Sequence, residues 1–187
     1  MVQAALKTAT LEEFLQQPDT KPASEYIDGQ MIQKPMPKAA HSLIQGHLTT
    51  AVNSVLEGDR KAIAFPELRC TFDGRSIIPD VTILPWADIP RGDGGMIDGE
   101  LFAAPNWLVE VLSPNQSQTK LVKKILHAID HGTQLGWLID PYEKCIFGYT
   151  PDWRIVIYED PDMQLPVPDF AEGFSLTVKE IMDWLYK

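Results

Sequence analysis

Trp107-Leu108-Val109-Glu110-Val111-Leu112-Ser113-Pro114 decides how the chain is read. With Asn106 it forms a short, almost wholly apolar strand, Asn106 to Leu112, stopped by Ser-Pro and carrying one carboxylate in its middle. Strand alternation sends Leu108, Glu110 and Leu112 to one face and Trp107, Val109 and Val111 to the other. A buried carboxylate without a partner is costly, or is forced to protonate. Glu110 therefore calls for a cation: a metal ion, a core lysine or arginine, or a strand end that reaches water.

The same pattern stands upstream. Ile77-Ile78-Pro79-Asp80-Val81-Thr82-Ile83-Leu84 carries Asp80 as its only charge. Two such acids in consecutive sheet segments favour one shared divalent ion over two unrelated ion pairs. Val111 follows Glu110, and its backbone carbonyl is a natural third oxygen ligand. Oxygen-only ligation of this kind suits Mg²⁺ or Mn²⁺ and not Zn²⁺.

Helix signals run from about Ser117 to Gly132. On a helical wheel Lys120, Lys123, Lys124, His127 and His131 share one arc, while Leu121, Val122, Ile125, Ala128 and Ile129 share the opposite one. The basic arc is either a solvated face or a local phosphate-binding patch. His127 and His131 read as surface residues on it. Beyond the helix, Trp137-Leu138-Ile139 is an apolar strand ended by Asp140-Pro141, with Trp137 a core residue. Cys145–Thr150 and Arg154–Tyr158 read as an antiparallel pair, and Thr177–Glu180 as a capping box opening a C-terminal helix.

Upstream, Thr10–Glu13 is a capping box for a short helix to about Gln17. Asp28-Gly29 joins the hairpin arms Glu25–Ile27 and Gln30–Ile32. Ala40–Leu56 is an amphipathic helix with Ile44, Leu48, Ala51, Val52 and Val55 on one stripe, His41 within it and Gln45 at its edge. Two strands lie within Lys61–Phe72 and Ser76–Leu84, turning at Asp73-Gly74. Pro85–Pro105 is a long Gly- and Pro-rich loop. Met31 and Met36 read as packing residues. The expected fold is α/β (α+β), a mixed central sheet flanked by helices, with residues 1–187 forming one domain.

Composition bounds the function. The 187 residues are 44% hydrophobic and 22% charged, the profile of a globular protein. No stretch approaches the roughly 18 uncharged apolar residues of a membrane span, and Met1–Thr10 lacks an apolar signal core. Two cysteines make neither a metal cluster nor a disulfide framework, so a reduced cytoplasmic setting is expected, with no membrane partner. The net charge of −10 opposes a polyanionic partner unless cations gather locally. A nucleic-acid cleft would need Lys34, Lys38, Lys120, Lys123, Lys124 and Arg69 around the two acids, and the loop joining the acid-bearing strands should border it.

Pro79-Asp80, Glu110-Val111-Leu112-Ser113-Pro114, a helical Lys, Gly132 and Trp137-Leu138-Ile139-Asp140-Pro141 together resemble a large bacterial family of endonuclease-like proteins within the PD-(D/E)XK restriction-endonuclease-like superfamily. Glu25-Tyr26-Ile27-Asp28-Gly29 and His41 resemble that family's N-terminal pattern, so the likeness spans roughly Glu25 to Tyr149. It implies a restriction-endonuclease-like core, a mixed four-stranded sheet flanked by helices, and Mg²⁺-dependent (or Mn²⁺-dependent) hydrolysis of phosphodiester bonds in nucleic acid, double-stranded DNA above all. Asp80 matches the motif's Asp and Glu110 its second acid. The motif's Lys position, two after Glu110, is Leu112; in the family the Lys comes from the following helix, where Lys124 matches. Lys120 stands where relatives often carry an acid.

On this reading Asp80, Glu110 and Lys124 are the catalytic set, Asp80, Glu110 and the Val111 carbonyl hold the metal, Glu25 and His41 are accessory, and Lys120 and Lys123 contact nucleic acid. The alternative is a nuclease-fold domain of weak or absent activity that binds nucleic acid or protein. Cutting both strands of a duplex favours a homodimer, with the C-terminal hairpin and helix, Trp153 and Trp184, as candidate interface.

Overall fold

The computed structural model describes residues 9–114 and 116–186; most of the N-terminal stretch read as lacking a signal core lies outside them. In chain order the elements are α1 (Leu11–Leu15), β1 (Ser24–Ile27), β2 (Gln30–Gln33), α2 (Ala39–Leu56), β3 (Ala62–Pro66), β4 (Cys70–Phe72), β5 (Arg75–Ile77), β6 (Val81–Pro85), β7 (Trp107–Val111), α3 (Gln118–Asp130), β8 (Leu135–Asp140), β9 (Cys145–Tyr149), β10 (Ile155–Tyr158) and α4 (Val178–Asp183). Local chemistry accounts for many of the boundaries. Thr10 and Thr177 each close a reciprocal capping box with a glutamate three residues on. Asp28 and Gly29 both take positive φ in the tight turn between β1 and β2.

The strands form two sheets. A mixed six-stranded sheet runs β10-β9-β8-β7-β6-β3, and an antiparallel four-stranded sheet runs β2-β1-β5-β4. In the large sheet only β7 and β8 are parallel, joined by α3 as a crossover. This is the α/β class expected, a mixed central sheet flanked by helices, but the large sheet has two strands more than the resemblance implied, and a second sheet is added. The large sheet gains the C-terminal pair β9 and β10 at its edge, and the second sheet arises because each of the two strands expected within Lys61–Phe72 and Ser76–Leu84 is broken. The first breaks after Pro66, where Glu67 takes a φ of 51°; the second breaks at Pro79, which has no N–H to give a ladder. Chain on either side of each break joins a different sheet. Asp80 therefore stands in the break immediately before β6 and not inside a strand.

The large sheet carries a core on each face. Trp107, Val109, Val111, Val81 and Ile83 pack with Ile44, Leu48, Val52 and Leu56 of α2 and with the C-terminal Ile181 and Trp184. Leu108, Leu84 and Leu138 pack with Leu121, Ile125 and Ala128 of α3 and with Cys70 and Ile77 of the small sheet. The α2 stripe continues in steps of four to Leu56; Val55 is exposed and Ala51 half-buried, so the stripe expected at its C-terminal end was one residue off. Trp137 is fully buried, its ring 4.7 Å from that of Trp107 in an edge-on pair. Met31 and Met36 are exposed, not packing residues, because β2 is an edge strand and Met36 lies beyond its end. Trp184 is buried and stacks on His47, which removes it from any interface, while Trp153 stays exposed.

One glycine sets how close α3 sits on the sheet. A Cβ at Gly136, in β8, would lie 2.4 Å from Cγ2 of Ile125. The helix carrying Lys124 thus rests directly on the β8 backbone.

Candidate active site

β6 and β7 are antiparallel with Val81 opposite Val109. The same register carried one step further puts position 80 opposite position 110. Both acids are buried, Asp80 at 2% and Glu110 at 1% exposure. Asp80 Oδ1 accepts from Lys34 Nζ at 2.8 Å, and Oδ2 accepts from the Val111 amide at 2.8 Å and faces His41 Nε2 at 2.9 Å. Its backbone carbonyl accepts from Gln45 Nε2. A residue in a strand sends its own N–H and C=O to the same edge, so the Val111 carbonyl leaves by the edge from which its amide binds Asp80.

Glu110 faces α3. Lys124 Nζ lies 2.8 Å from Glu110 Oε1 and 2.8 Å from Glu25 Oε1. The contact to Glu25 is a directed hydrogen bond, and Ile78 N–H donates to the same oxygen. The contact to Glu110 is off-axis, so both Glu110 oxygens are buried without a directed donor. The helical wheel had grouped Lys124 with Lys120 and Lys123. Those two are exposed, but Lys124 is buried at 5%, because the carboxylates of β1 and β7 draw it inward among Leu121 and Ile125.

Electrostatics differ between the two acids. Burial opposes ionisation of Asp80, but the His41 hydrogen bond and the Lys34 charge outweigh it and hold the carboxyl well below the usual range. Burial pushes Glu110 up to about 7; Lys124 pulls it back only partly, and the nearby Asp80 charge adds to the rise. Burial also disfavours the Lys124 ammonium, yet Glu110, Glu25 and Asp80 together hold it above its ordinary value.

Glu25, Lys34 and Lys124 of the array line a cleft of about 1060 Å³ together with Arg75, Lys120 and Lys123, among others, while Asp80, Glu110 and His41 lie behind its lining. Four of the six cations expected there are present, and Arg75 joins them. Lys38 does not line it. Arg69 faces elsewhere, held by Ser24 and Ser76 with Glu100 at 3.6 Å. The Pro85–Pro105 loop does not border the cleft either. It leaves the far ends of β6 and β7, opposite the acids, and pairs Leu101 with the backbone of Arg69 and Thr71. Lys34 as the partner of Asp80, Gln45 on its carbonyl, and Arg75 carry no local sequence signal. His127 is not the surface residue expected: its side chain is 10% exposed and stacks on Phe72.

Residues 11–179 match the family model described as "Uma2: Putative restriction endonuclease". Among solved structures, a protein described as "a putative nuclease belonging to DUF820 from Anabaena variabilis ATCC 29413" is similar at 49% identity, with a TM-score of 0.92, over 95% of this chain and 99% of that one. No curated protein matches the chain.

Proposed function

Because the chain belongs to the Uma2 restriction-endonuclease family, we propose that it is a divalent-metal-dependent endonuclease that hydrolyses phosphodiester bonds of nucleic acid, DNA in particular, acting in the cytoplasm as one restriction-endonuclease-like domain. The observation that carries this reading is the placement of Lys124 Nζ 2.8 Å from Glu110, on the strand beside Asp80, under a cleft walled by Lys34, Arg75, Lys120 and Lys123. The buried residues suit a hard cation. Glu110 has two oxygens without a directed donor and Asp80 lies across from it, so the two acids offer carboxylate oxygens. Asp80, Glu110 and the Val111 carbonyl would hold Mg²⁺ or Mn²⁺. Such an ion supplies Lewis acidity at the phosphate and a more acidic water.

The chain's own groups do the rest. Lys34 and His41 keep Asp80 ionised. Glu25 anchors Lys124, whose ammonium is fixed where negative charge would grow on the scissile phosphate. Lys120, Lys123 and Arg75 bind flanking phosphates. Two copies, paired through an apolar edge that includes the exposed Trp153, Ile155 and Ile157, would cut both strands.

The engagement of both Asp80 oxygens favours a second reading, a domain that binds nucleic acid without cutting it. Plasmid nicking with Mn²⁺ separates the two. The nuclease reading expects nicking by the wild type, none after EDTA, and none for Asp80→Asn. Divalent-independent retention of DNA with no nicking by the wild type would favour the binding module.

A further inference from the structure

Asp73, His127 and His131 lie outside the carboxylate–lysine array. His127 is in the last turn of α3 and His131 is its C-cap, so the two rings leave the same side of the helix. Asp73 sits in the turn between β4 and β5. The three potential ligand atoms fall within 4.8 Å of one another. Asp73 Oδ2 is 3.0 Å from His131 Nε2 and 4.0 Å from His127 Nε2.

Two features of the group suit a cation there. His131 Nδ1 lies 2.7 Å from the His127 carbonyl oxygen, which can only accept, so Nδ1 is the donor. In the neutral ring Nε2 then carries a lone pair, and that lone pair faces a carboxylate oxygen at 3.0 Å. Two acceptors at that distance need a proton or a metal ion between them. The second feature is His127 Nε2, which is buried without a hydrogen-bond partner and points at the same carboxylate. Burial, and then the nearby Arg75 charge, push the His127 imidazole down. Phe72 stacks on His127 and screens one side of the group. Arg75 is itself paired with Asp28 at 2.7 Å, which offsets its charge.

We propose that Asp73, His127 and His131 bind one divalent transition-metal ion of the zinc class, which clamps the β4–β5 turn to the C-terminal end of α3. A donor set of two imidazoles and one carboxylate selects Zn²⁺, Co²⁺ or Ni²⁺ over Mg²⁺. Bonds of about 2.0 to 2.2 Å place tetrahedral ligands about 3.3 Å apart. Asp73, exposed at 58%, has the freedom to close the roughly 0.7 Å that separates its 4.0 Å distance to His127 Nε2 from that spacing. The His131–carbonyl hydrogen bond fixes the ligating tautomer, as metal-bound histidines require. His127 also lines the cleft. The ion would hold the helix that delivers Lys124, and the site stands whether or not the chain cuts nucleic acid.

The test is Co²⁺ titration of chelator-stripped protein, read by visible absorption, beside Zn²⁺ thermal shift, in the wild type and in Glu110→Gln, His131→Ala and Asp73→Asn. The expected result is the ligand-field bands of a histidine-ligated Co²⁺ ion, and a Zn²⁺-dependent rise in Tm. Both should survive in Glu110→Gln, vanish in His131→Ala and weaken in Asp73→Asn. Anomalous scattering at the zinc edge from soaked wild-type crystals serves if a variant fails to fold, and it should show a peak between His127 and His131. Binding that disappears in Glu110→Gln but persists in His131→Ala would overturn the proposal. So would ¹⁵N shifts showing both His131 ring nitrogens protonated at alkaline pH and unmoved by Zn²⁺, since the pair would then be an ordinary ion pair.

Discussion

Lys124 and Glu110 meet with Nζ 2.8 Å from Oε1, in a contact that solvent scarcely reaches from either side. The same ammonium is shared with Glu25, which arrives from the other sheet. One lysine thus ties the helix to a strand of each sheet. Removing it leaves two buried carboxylates with no counter-charge. Lys124→Met should lose nicking activity altogether and destabilise the fold by about 3–5 kcal/mol at neutral pH. The stability loss should shrink in acid, where both carboxyls can protonate. Urea melts at the two pH values check this; an unchanged midpoint would show that the ammonium is not the keystone of the array.

Glu110 sets a pH dependence of known sign. Its folded-state carboxyl takes up a proton near pH 7, while the unfolded chain's takes one near 4.5. Between these values the folded state binds more protons, so this group's contribution to stability falls as pH rises through the window and stays low above it. Glu110→Gln, which mimics the neutral form, should therefore raise the stability of metal-free protein at about pH 8, by on the order of 2 kcal/mol, with little gain at about pH 5. Equal gains at both would contradict a raised carboxyl. Mn²⁺ binding, which needs the ionised form, should strengthen over the same window.

Gly136→Ala brings a methyl to 2.4 Å from Ile125 Cγ2, a β-branched group with little freedom to yield. α3 must lift from β8. The expected cost is about 1–3 kcal/mol, together with a fall in nicking larger than the fall in DNA binding, because Lys124 moves with the helix. A variant of wild-type stability and activity would mean that the helix seat is softer than the close approach indicates.

Lys120 and Lys123 are exposed on the cleft wall. If they bind phosphates, Lys120→Gln with Lys123→Gln should weaken DNA binding and flatten its dependence on salt, by about 0.9 in log–log slope for each phosphate no longer neutralised. Melting temperature should not move. An unaltered slope would place the polyanion elsewhere on this acidic chain.

Much of the site could be read from residue order alone, because its acids are marked locally. Glu110 is the lone charge in an apolar strand and Asp80 the lone charge beside another, and a strand's period of two already sorts Glu110 from Val111. Caps, the Asp28-Gly29 hairpin, α2 and α3 were legible for the same reason: their signals span three to eighteen residues. What closes the site was not. Lys34 meets Asp80 across 46 residues and Glu25 meets Lys124 across 99, and no pattern within either segment names its partner. The wheel could not separate Lys124 from Lys120 and Lys123, since side-chain burial depends on which carboxylates the sheets bring beneath the helix. The Pro85–Pro105 loop was placed at the wrong end because it joins the end of β6 to the start of β7, while Asp80 and Glu110 stand at the opposite ends of that antiparallel pair. Period and turn chemistry settle each element; pairing across sheets, a cooperative outcome of burying the apolar faces together, settles which charges meet.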